Sequence, residues 1–374
     1  MSGWNGSSES LIRNTDPMTG VRCMIIRGGT SKGAYFLPED LPADPEQRDD
    51  LLMRIMGTPD RRQIDGIGGA HPLTSKVAIV TVPDEDDHVD VEYLFLQVGV
   101  DKPTVTDRQN CGNLLAGVAP FAVERGLIAP SDGQAVVRIR MLNTNGVATA
   151  RFDVKDGQPL YDGDASISGV PRTAAPIYLD FEDIAGGSTG ALLPTGEVSD
   201  EISGVQATLI DNGMPVVILR ADDLGITGYE ECSELEANAQ LVASLEEIRL
   251  QAGVMMNLGD VSQTTIPKMT MVAPPRDGGH ISTRTFIPHR CHQAIGVLGA
   301  VSVATGCMIP GSVGFNLLER KGDSSTVVLE HPSGRFESIV ELSFDEAEPV
   351  VERAGIVRTA RKLMDGFVFP RLAE

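Results

Sequence analysis

Two cysteines stand at corresponding points of two apolar segments. Cys111 precedes the run LLAGVAPFAVE (114–124), and Cys291 precedes the run AIGVLGAVSVAT (294–305). Each cysteine lies fifteen residues before a glycine of the kind that ends helices, Gly126 and Gly306 (126 − 111 and 306 − 291). The first turn of a helix carries unpaired N–H groups and a positive dipole end, which stabilise a thiolate and bind carboxylates. The spacing therefore predicts cysteine chemistry at two helix N-termini, on an anionic substrate.

Two lysines recur in the same way before the cysteines. Lys76 lies in the apolar strand pattern LTSKVAIV and Lys268 in TIPKMTMV. A lysine that points inward from such a strand is partly desolvated, which suits it to act as a general base. Lys32 belongs to a second TSK triplet, which is a decoy or a binding loop. The residues alone leave open that Lys76 is a strand-edge lysine pointing to water. Lys268 is a candidate partner for a substrate carboxylate.

The elements around these residues indicate an internal duplication. Both apolar helices must be enclosed, because no face of either is polar. Each is followed by a predicted hairpin, which turns at Gly146 or Gly334, and RGGTSKGAYFLPEDLP (27–42) parallels DNGMPVVILRADDLG (211–225). We predict an α+β fold of two pseudo-symmetric domains, each a β-barrel-like sheet wrapped around a central apolar helix. An amphipathic helix lies outside each sheet, at about 45–56 and 234–251, and both cysteine-bearing helix ends face one cleft.

The predicted domain limits follow from this duplication. Residues 1–20 form a flexible leader, 21–180 the first domain and 181–350 the second. Residues 351–374 return to the first domain as a strand, and the boundary lies in the Gly-, Ala- and Thr-rich segment 171–194.

Composition excludes several classes of function. The chain has 374 residues, 41% of them hydrophobic, and a formal charge of −21, which argues against binding nucleic acid or anionic membranes. No apolar run approaches the roughly 18 residues that cross a bilayer, and the N-terminus lacks the layout of a signal peptide. Five cysteines show no CxxC or zinc-type spacing, so we expect reduced thiols, no metal site and a cytoplasmic location.

Eight motifs together resemble the 4-oxalomesaconate tautomerase and 2-methylaconitate isomerase family: RGGTSKGAYF, QIDGIGG, TSKVAIV, NCGNLLAGVAPFAVERGL, IDNGMPVV, GDVSQ, IPHRCH and VRTARKL. The resemblance covers about residues 21–367. It implies the two-domain diaminopimelate epimerase fold and a cofactor-free 1,3-proton shift on an unsaturated oxo-tricarboxylate. The pattern is closest to enzymes that act on 4-oxalomesaconate in gallate and protocatechuate breakdown. It also implies that the protein is a homodimer and that its binding partner is a small polycarboxylate substrate.

The resemblance implies roles for individual residues. The family pairs a lysine in the TSK segment with the first cysteine, which makes Lys76 and Cys111 the catalytic pair. The predicted substrate-binding residues are Thr30, Ser31, Ser75, Gly112, Asn113, Lys268, Cys291 and His292. Because Cys291 is followed by His rather than Gly, two-cysteine epimerisation is in doubt, and His292 binds a carboxylate, donates a proton or is structural.

Three other features receive weaker interpretations. RGGTSKG lacks the order of a phosphate loop, and GIGG (66–69) is no dinucleotide fingerprint, so both are interpreted as tight loops that line the cleft. Asp65 braces the second loop or caps a turn. Arg27 and Arg358 are candidate carboxylate clamps, because the guanidinium fork suits a carboxylate.

Three alternative functions stay open. The first is isomerisation of 2-methylaconitate or aconitate. The second is an amino-acid epimerase with two cysteines, and the third is a non-catalytic carboxylate-binding protein. Exchange of substrate protons with deuterated solvent separates binding from catalysis. The residues leave open whether the lysine or the cysteine returns the second proton.

Overall fold

A computed structural model describes residues 20–83, 88–108, 110–319, 325–344 and 348–373. The predicted leader lies outside the described residues, except for its last position. The helices in this part of the chain are α1 Pro45–Met56, α2 Gly112–Glu124, α3 Cys232–Ala237, α4 Ala239–Met255 and α5 Val297–Met308. The strands are β1 Val21–Gly28, β2 Ser31–Phe36, β3 Lys76–Thr81, β4 Val91–Val98, β5 Val105–Thr106, β6 Gly133–Met141, β7 Gly146–Lys155, β8 Gln158–Pro159, β9 Pro176–Phe181, β10 Asp200–Ile202, β11 Val205–Asp211, β12 Pro215–Arg220, β13 Lys268–Ala273, β14 Ile281–Phe286, β15 Thr326–His331, β16 Gly334–Ser343 and β17 Val350–Val368.

Strands of the first half close into a ring. The order is β1–β2–β3–β4–β6–β7–β9–β17, and β17 pairs back onto β1. The β2–β3 and β4–β6 pairs are parallel and the other pairs of the ring are antiparallel. Closure leaves no free edge in this ring, so the backbone groups of its strands pair with neighbouring strands.

The second half repeats the order of the first six strands of this ring. The sequence of pairs is β11–β12–β13–β14–β15–β16–β17, with β12–β13 and β14–β15 parallel and the remaining pairs antiparallel. Thus β11 to β16 correspond to β1, β2, β3, β4, β6 and β7. The predicted α+β class, with two pseudo-symmetric halves of strands around apolar helices, is confirmed.

The two central helices are enclosed, as their sequences require. Residues 114–123 of α2 and 299–307 of α5 are all buried. Helix α2 begins directly after Cys111, as predicted. The predicted start of the second helix at Cys291 is wrong, because Gly296 is the N-cap of α5. Its predicted end is also early: α5 continues past Gly306, whose lack of a side chain lets the Ile218 side chain pack against the helix.

The helices α1, α3 and α4 cover the faces of the sheets that point away from α2 and α5. Helix α1 has the predicted limits, with Asp44 capping its first turn and Gly57 ending it at φ +79°. The second predicted helix, 234–251, is two helices, because the side chain of Asn238 accepts a hydrogen bond from the Leu241 N–H and starts α4 anew. No helix among the described residues is long and apolar enough to cross a membrane.

Strand β17 joins the two halves. Its first part pairs with β16 of the second half, its middle part with β9 and its last part with β1 of the first half. The final segment of the chain therefore pairs with strands of both halves. Side chains on its inward face can reach the space between them.

Candidate functional site

The N-termini of α2 and α5 meet between the two halves. A Cβ added to Gly112, the first residue of α2, would lie 3.1 Å from Cγ1 of Val297, the first residue of α5. A Cβ added to Gly296 or Gly299 would meet no described atom within 4 Å, so open space adjoins the start of α5. This space at the two helix starts is the cleft. Two positive helix ends converge there, which favours an anionic ligand.

Lys76 points into the first ring toward α2. Residues alternate between the two faces of a strand, and Ala78 and Val80 of the same strand pack in the core around α2. Lys76 is 6% exposed, and its Nζ donates a 2.9 Å hydrogen bond to Oε1 of Gln97 and lies 4.8 Å from the centre of the Phe95 ring. No ion pair of Lys76 is found among the described residues. Its amine therefore faces a neutral acceptor and an aromatic ring.

Gln97 is held in one orientation by backbone carbonyls. Its Nε2 donates to the carbonyls of Pro72, Ser75 and Val98 at 3.1, 3.0 and 3.2 Å. Only Oε1 is left to accept from Lys76. We did not predict Gln97 from the sequence. The sequence does carry a signal for it: Gln97 lies in the alternating strand VEYLFLQV, on the inward face with Tyr93 and Phe95.

Cys111 lies at the helix N-cap without serving as a capping side chain. It is 8% exposed, its backbone is extended and its side chain makes no cap hydrogen bond. Leu114, one turn further on, touches the lysine strand: a Cβ added to Gly33 would lie 2.7 Å from both Leu114 Cδ2 and the Lys76 carbonyl oxygen. The first turn of α2 and the start of β3 are thus packed together through a glycine.

The β1–β2 turn packs tightly against the first turn of α2. A Cβ on Gly28 would lie 2.3 Å from the Asn113 carbonyl oxygen, and one on Gly29 would lie 2.1 Å from Asn113 Oδ1. Gly29 also has φ +52°, which favours glycine. The close approach lets Nδ2 of Asn113 donate to Thr30 Oγ1 at 3.1 Å. The two glycines of RGGTSKG therefore position Thr30 and Asn113 together.

The two TSK triplets have different environments. Ser31 is 1% exposed, and its Oγ has no hydrogen-bond partner among the described residues. Lys32 lies on the face of β2 opposite Tyr35, away from the core around α2. The Ser75 hydroxyl already bonds to Gln63 Oε1 and the His71 carbonyl, at 2.7 and 3.0 Å. Ser31 thus offers a free hydroxyl, whereas Ser75 braces the loop before β3.

Gln63 organises the QIDGIGG loop. Its amide bonds to Thr58 Oγ1, to the Ala70 N–H and to Ser75 Oγ. The predicted brace was Asp65, which is exposed; Asp60 instead accepts the N–H groups of Arg62 and Ile64. Those backbone hydrogen bonds lower the pKa of the Asp60 carboxyl. The loop is fixed by a buried amide, which the sequence analysis overlooked.

Lys268 is the counterpart of Lys76 in the second half. Each is the first residue of its strand, and Val272, on the same face as Lys268, packs in the core around α5. Its Nζ donates to the Thr265 carbonyl at 2.7 Å. Burial, and to a lesser degree the charge of Arg249, lowers the pKa of Lys268 to about 8.

His292 belongs to the same cluster of charges as Lys268. Its Nδ1 accepts the Ala294 N–H at 2.8 Å, so the neutral ring carries its proton on Nε2. Burial first and the charge of Lys268 second lower the pKa of His292. A neutral His292 can donate a hydrogen bond to an anion.

Cys291 does not occupy the position of Cys111. It lies six residues before α5 (297 − 291), in a bridge with Phe286, and belongs to the core cluster beneath α3 and α4. Its neighbour there is Cys232, and burial followed by that hydrogen bond raises the pKa of the Cys291 thiol. The local turn at His292 takes the place of the predicted first helical turn. The two cysteines therefore differ in environment, although their strands and helices correspond.

A cavity of about 800 Å³ adjoins the Thr30 turn. Its lining includes four cationic side chains, Arg27, Lys32, Arg172 and Arg361, and the carboxylate of Asp162, which pairs with Arg361 at 2.8 Å. Nη1 of Arg27 donates to the Gly29 carbonyl and to Thr359, so Arg27 holds the turn. Lys76 and Cys111 are not among the lining residues. The cavity places local positive charge beside the Thr30 turn of a strongly acidic protein.

The described part of the chain shows no cluster of side chains typical of a metal site. No group of three or more His, Cys, Asp or Glu side chains there is arranged to hold an ion. All five cysteines are unpaired and buried. The charged groups at the cleft are instead cations and helix ends.

Comparison with known proteins adds independent findings. The chain matches the family model "PrpF protein" over residues 18–371. It is 56% identical to the "(4E)-oxalomesaconate Delta-isomerase" of Novosphingobium sp. (strain KA1), over 96% of this chain and 100% of that protein. It is 56% identical to the "4-oxalomesaconate tautomerase" of Pseudomonas putida, over 94% and 96%. A solved structure, "Methylitaconate-delta-isomerase", superposes with TM-score 0.86 at 34% identity, covering 94% of this chain and 96% of that one.

Proposed function

This chain belongs to the PrpF family, and we propose that it moves a proton along 4-oxalomesaconate by a 1,3-shift. It is an isomerase. The observation that carries the substrate proposal is the meeting of two helix N-termini beside Lys76 and Cys111. Such a site suits a compound with several carboxylates and a conjugated, acidic C–H bond. We place the reaction in gallate and protocatechuate breakdown.

Lys76 is the proposed general base. A proton γ to a carbonyl, or between a C=C bond and a carboxylate, is acidified because the resulting carbanion is delocalised as a dienolate. Lys76 removes this proton, and the bond electrons move into the conjugated system. Gln97 supports the role, since its single free acceptor aims the amine from the inner face of β3. The protonated lysine, or the Cys111 thiol, then returns a proton to the other end of the allylic unit.

The dienolate's charge is stabilised at the cleft. The free N–H groups of Gly112 and Asn113 belong to the first turn of α2, and the start of α5 adds a second positive end. Thr30, Ser31, Lys268 and His292 are proposed to bind the carboxylates. Ser31 is favoured by its unpartnered hydroxyl. Ser75 and Cys291 receive less support, because the first is engaged with Gln63 and the second lies beneath α3 and α4.

The position of Cys291 also bears on the alternatives. An epimerase with two cysteines needs a thiol on each face of one substrate carbon, whereas Cys291 lies beside Cys232 in the cluster beneath α3 and α4 and is not at the N-cap of α5. Isomerisation of 2-methylaconitate or aconitate uses the same proton chemistry and differs only in the substrate. Loss of ultraviolet absorbance with 4-oxalomesaconate, aconitate and methylaconitate side by side tests the proposal. We expect the highest kcat/KM with 4-oxalomesaconate; higher activity with either other compound would reassign the substrate.

Replacing Gln97 with Met is expected to lower kcat by about 10- to 100-fold, because the base loses the acceptor that aims it. The matched control is Gln251→Met, since among the described residues that amide bonds to the exposed Ser203 hydroxyl alone, at 2.7 Å. Steady-state kinetics and thermal melting of both variants separate misplacement of the base from unfolding. Wild-type kcat in a folded Gln97→Met protein would show that Gln97 does not position Lys76.

KM for the substrate is expected to rise about 10-fold between pH 7 and pH 9. Lys268 is charged below its pKa of about 8 and neutral above it, so the attraction to a carboxylate is lost as the pH rises. The variant Lys268→Arg keeps its charge over this range and should show a flat KM. The same rise in both proteins would assign the pH effect to another group.

Location and assembly complete the proposal. We place the protein in the cytoplasm as a homodimer. The five unpaired cysteines support a reducing compartment. Three apolar side chains near the C-terminus, Phe367, Phe369 and Leu372, are 61%, 67% and 64% exposed and support a contact with a second chain. Light scattering of the purified protein measures its mass.

A further inference from the structure

Arg358 is a buried cation without a carboxylate partner among the described residues. It is 6% exposed, and burial lowers its pKa to about 10 against a weaker opposing effect of the Glu337 charge, which makes no ion pair with it. Other buried arginines have partners: Arg125 pairs with Asp365 at 2.8 Å and Arg249 with Glu246 at 2.7 Å. Arg284 has no ion pair among the described residues, but its Nε and Nη1 donate to the Glu230 and Thr283 carbonyls at 2.8 and 2.9 Å. An unpaired buried charge is costly for the folded protein, so its retention calls for a ligand.

One edge of the Arg358 guanidinium is left unused. Its Nη1 donates to the Val357 carbonyl at 2.8 Å, and Cζ lies 4.0 Å from the centre of the Phe336 ring. Its Nε is buried and has no hydrogen-bond partner in the described chain, and no described group bonds to Nη2. Nε and Nη2 point the same way, in the spacing that matches the two oxygens of a carboxylate.

The fold aims this side chain at the cleft. Ala354, Ile356 and Ala360 lie on the same face of β17 and pack in the core around α2 and α5. A Cβ added to Gly29 would lie 3.2 Å from Cδ of Arg358 and 2.1 Å from Oδ1 of Asn113. Arg358 thus lies against the β1–β2 turn, which contains Thr30 and packs on Asn113.

The second half contributes a neutral neighbour. Burial first, and then the charges of His292, Arg284 and Arg358, lower the pKa of His331 to about 4. His331 is therefore uncharged near neutral pH and adds no competing ion pair. Phe336, which stacks on the guanidinium, belongs to the same hairpin as His331. Arg358 is flanked by both halves.

We propose that Arg358 binds one carboxylate of the substrate through its Nε and Nη2 groups. This inference rests on the proposed function and adds Arg358 to it as a specificity determinant. A substrate must carry a carboxylate that reaches Arg358 on β17 while its reacting carbons lie at Lys76 and Cys111. Strand β17 pairs with strands of both halves, so Arg358 adds a third cation to those that Lys76 and Lys268 bring from the two halves.

The test compares three variants with the wild type. Arg358→Met removes the charge, Arg358→Lys keeps it but loses the fork, and Arg353→Lys is the control on the same strand. Arg353 already pairs with Asp180 and Glu341 at 2.8 and 3.4 Å and has no free edge for a ligand. We expect KM to rise about 10- to 100-fold in both Arg358 variants and to stay within about twofold in the control.

Two further readouts make the test independent of the assay. Calorimetric binding of tricarballylate, a saturated tricarboxylate with no allylic proton, should weaken by a similar factor in the Arg358 variants. The melting temperature of ligand-free Arg358→Met should be unchanged or higher, because an unpaired buried charge is removed. Unchanged KM and unchanged tricarballylate binding in a folded Arg358→Lys protein would overturn the proposal. If wild type binds tricarballylate but isomerises none of the three acids, the proposed function fails while Arg358 is still tested.

Discussion

Lys76→Ala is expected to lower kcat by about 10²–10⁴-fold, the usual cost of removing a general base. Lys76 is the amine on the inner face of β3, which faces the core around α2, and its Nζ is held by a hydrogen bond to Gln97. The loss should appear in kcat rather than KM, because the amine acts on a carbon-bound proton in the transition state. Absorbance assays at saturating substrate measure kcat.

A matched lysine controls for general loss of charge. Lys32→Ala removes the amine of the other TSK triplet, which lies on the opposite face of β2, and should keep kcat within a few-fold of wild type. Lys76→Ala leaves the Gln97 acceptor unsatisfied, which costs about 1–3 kcal/mol of folding free energy, so thermal melting accompanies the kinetics. Full activity in a folded Lys76→Ala protein would end the assignment of Lys76 as the base.

Cys111→Ser is expected to lower net isomerisation by at least about 10²-fold. A serine hydroxyl is a far weaker acid than a thiol and has a similar size, so the change tests proton delivery with little change in packing. The helix should be unaffected, since the Cys111 side chain makes no capping hydrogen bond. Cys307→Ser is the control, because that thiol is fully buried within α5 and away from the cleft.

Comparing proton exchange with isomerisation divides the roles of the two residues. If the thiol returns the second proton, Cys111→Ser keeps exchange at the first carbon while isomerisation stops. If Lys76 performs both transfers and Cys111 only polarises the substrate, exchange and isomerisation fall together. Wild-type isomerisation in Cys111→Ser would remove the thiol from the chemistry.

The duplication was predictable because pattern and packing agree. An apolar helix must be enclosed, and the strands that enclose it repeat in the same order, so Lys76 and Lys268 both begin corresponding strands. The hairpins at Gly146 and Gly334 have the predicted turns. The limits of the two domains, near residues 180 and 350, stay predictions.

The second cysteine shows where local spacing fails. Equal distances to a later glycine placed Cys291 at a helix start, yet Gly296 caps α5 and Gly306 lies inside it. Sequence spacing does not separate a helical turn from the irregular turn at His292, whose ring accepts a backbone N–H. In the same way, the side chain of Asn238 divides one predicted amphipathic helix into α3 and α4.

Residues that act through tertiary contacts were also missed. Gln97 and His331 come near functional groups only when strands distant in the chain are brought together. Arg358 was identified from its chemistry alone, and the unused guanidinium edge became visible only with the fold. Side-chain direction along a strand is the physical information that the sequence supplies least directly.

Proton NMR of the wild-type protein with 4-oxalomesaconate in deuterated buffer tests the central claim most directly. We expect the double bond to move and solvent deuterium to enter at the newly protonated carbon, with the same outcome after treatment with a chelator. We expect neither exchange nor isomerisation in Lys76→Ala. A wild-type protein that binds the compound without exchange or isomerisation, or a Lys76→Ala protein that exchanges at the wild-type rate, would contradict a proton shift by Lys76 in this cleft.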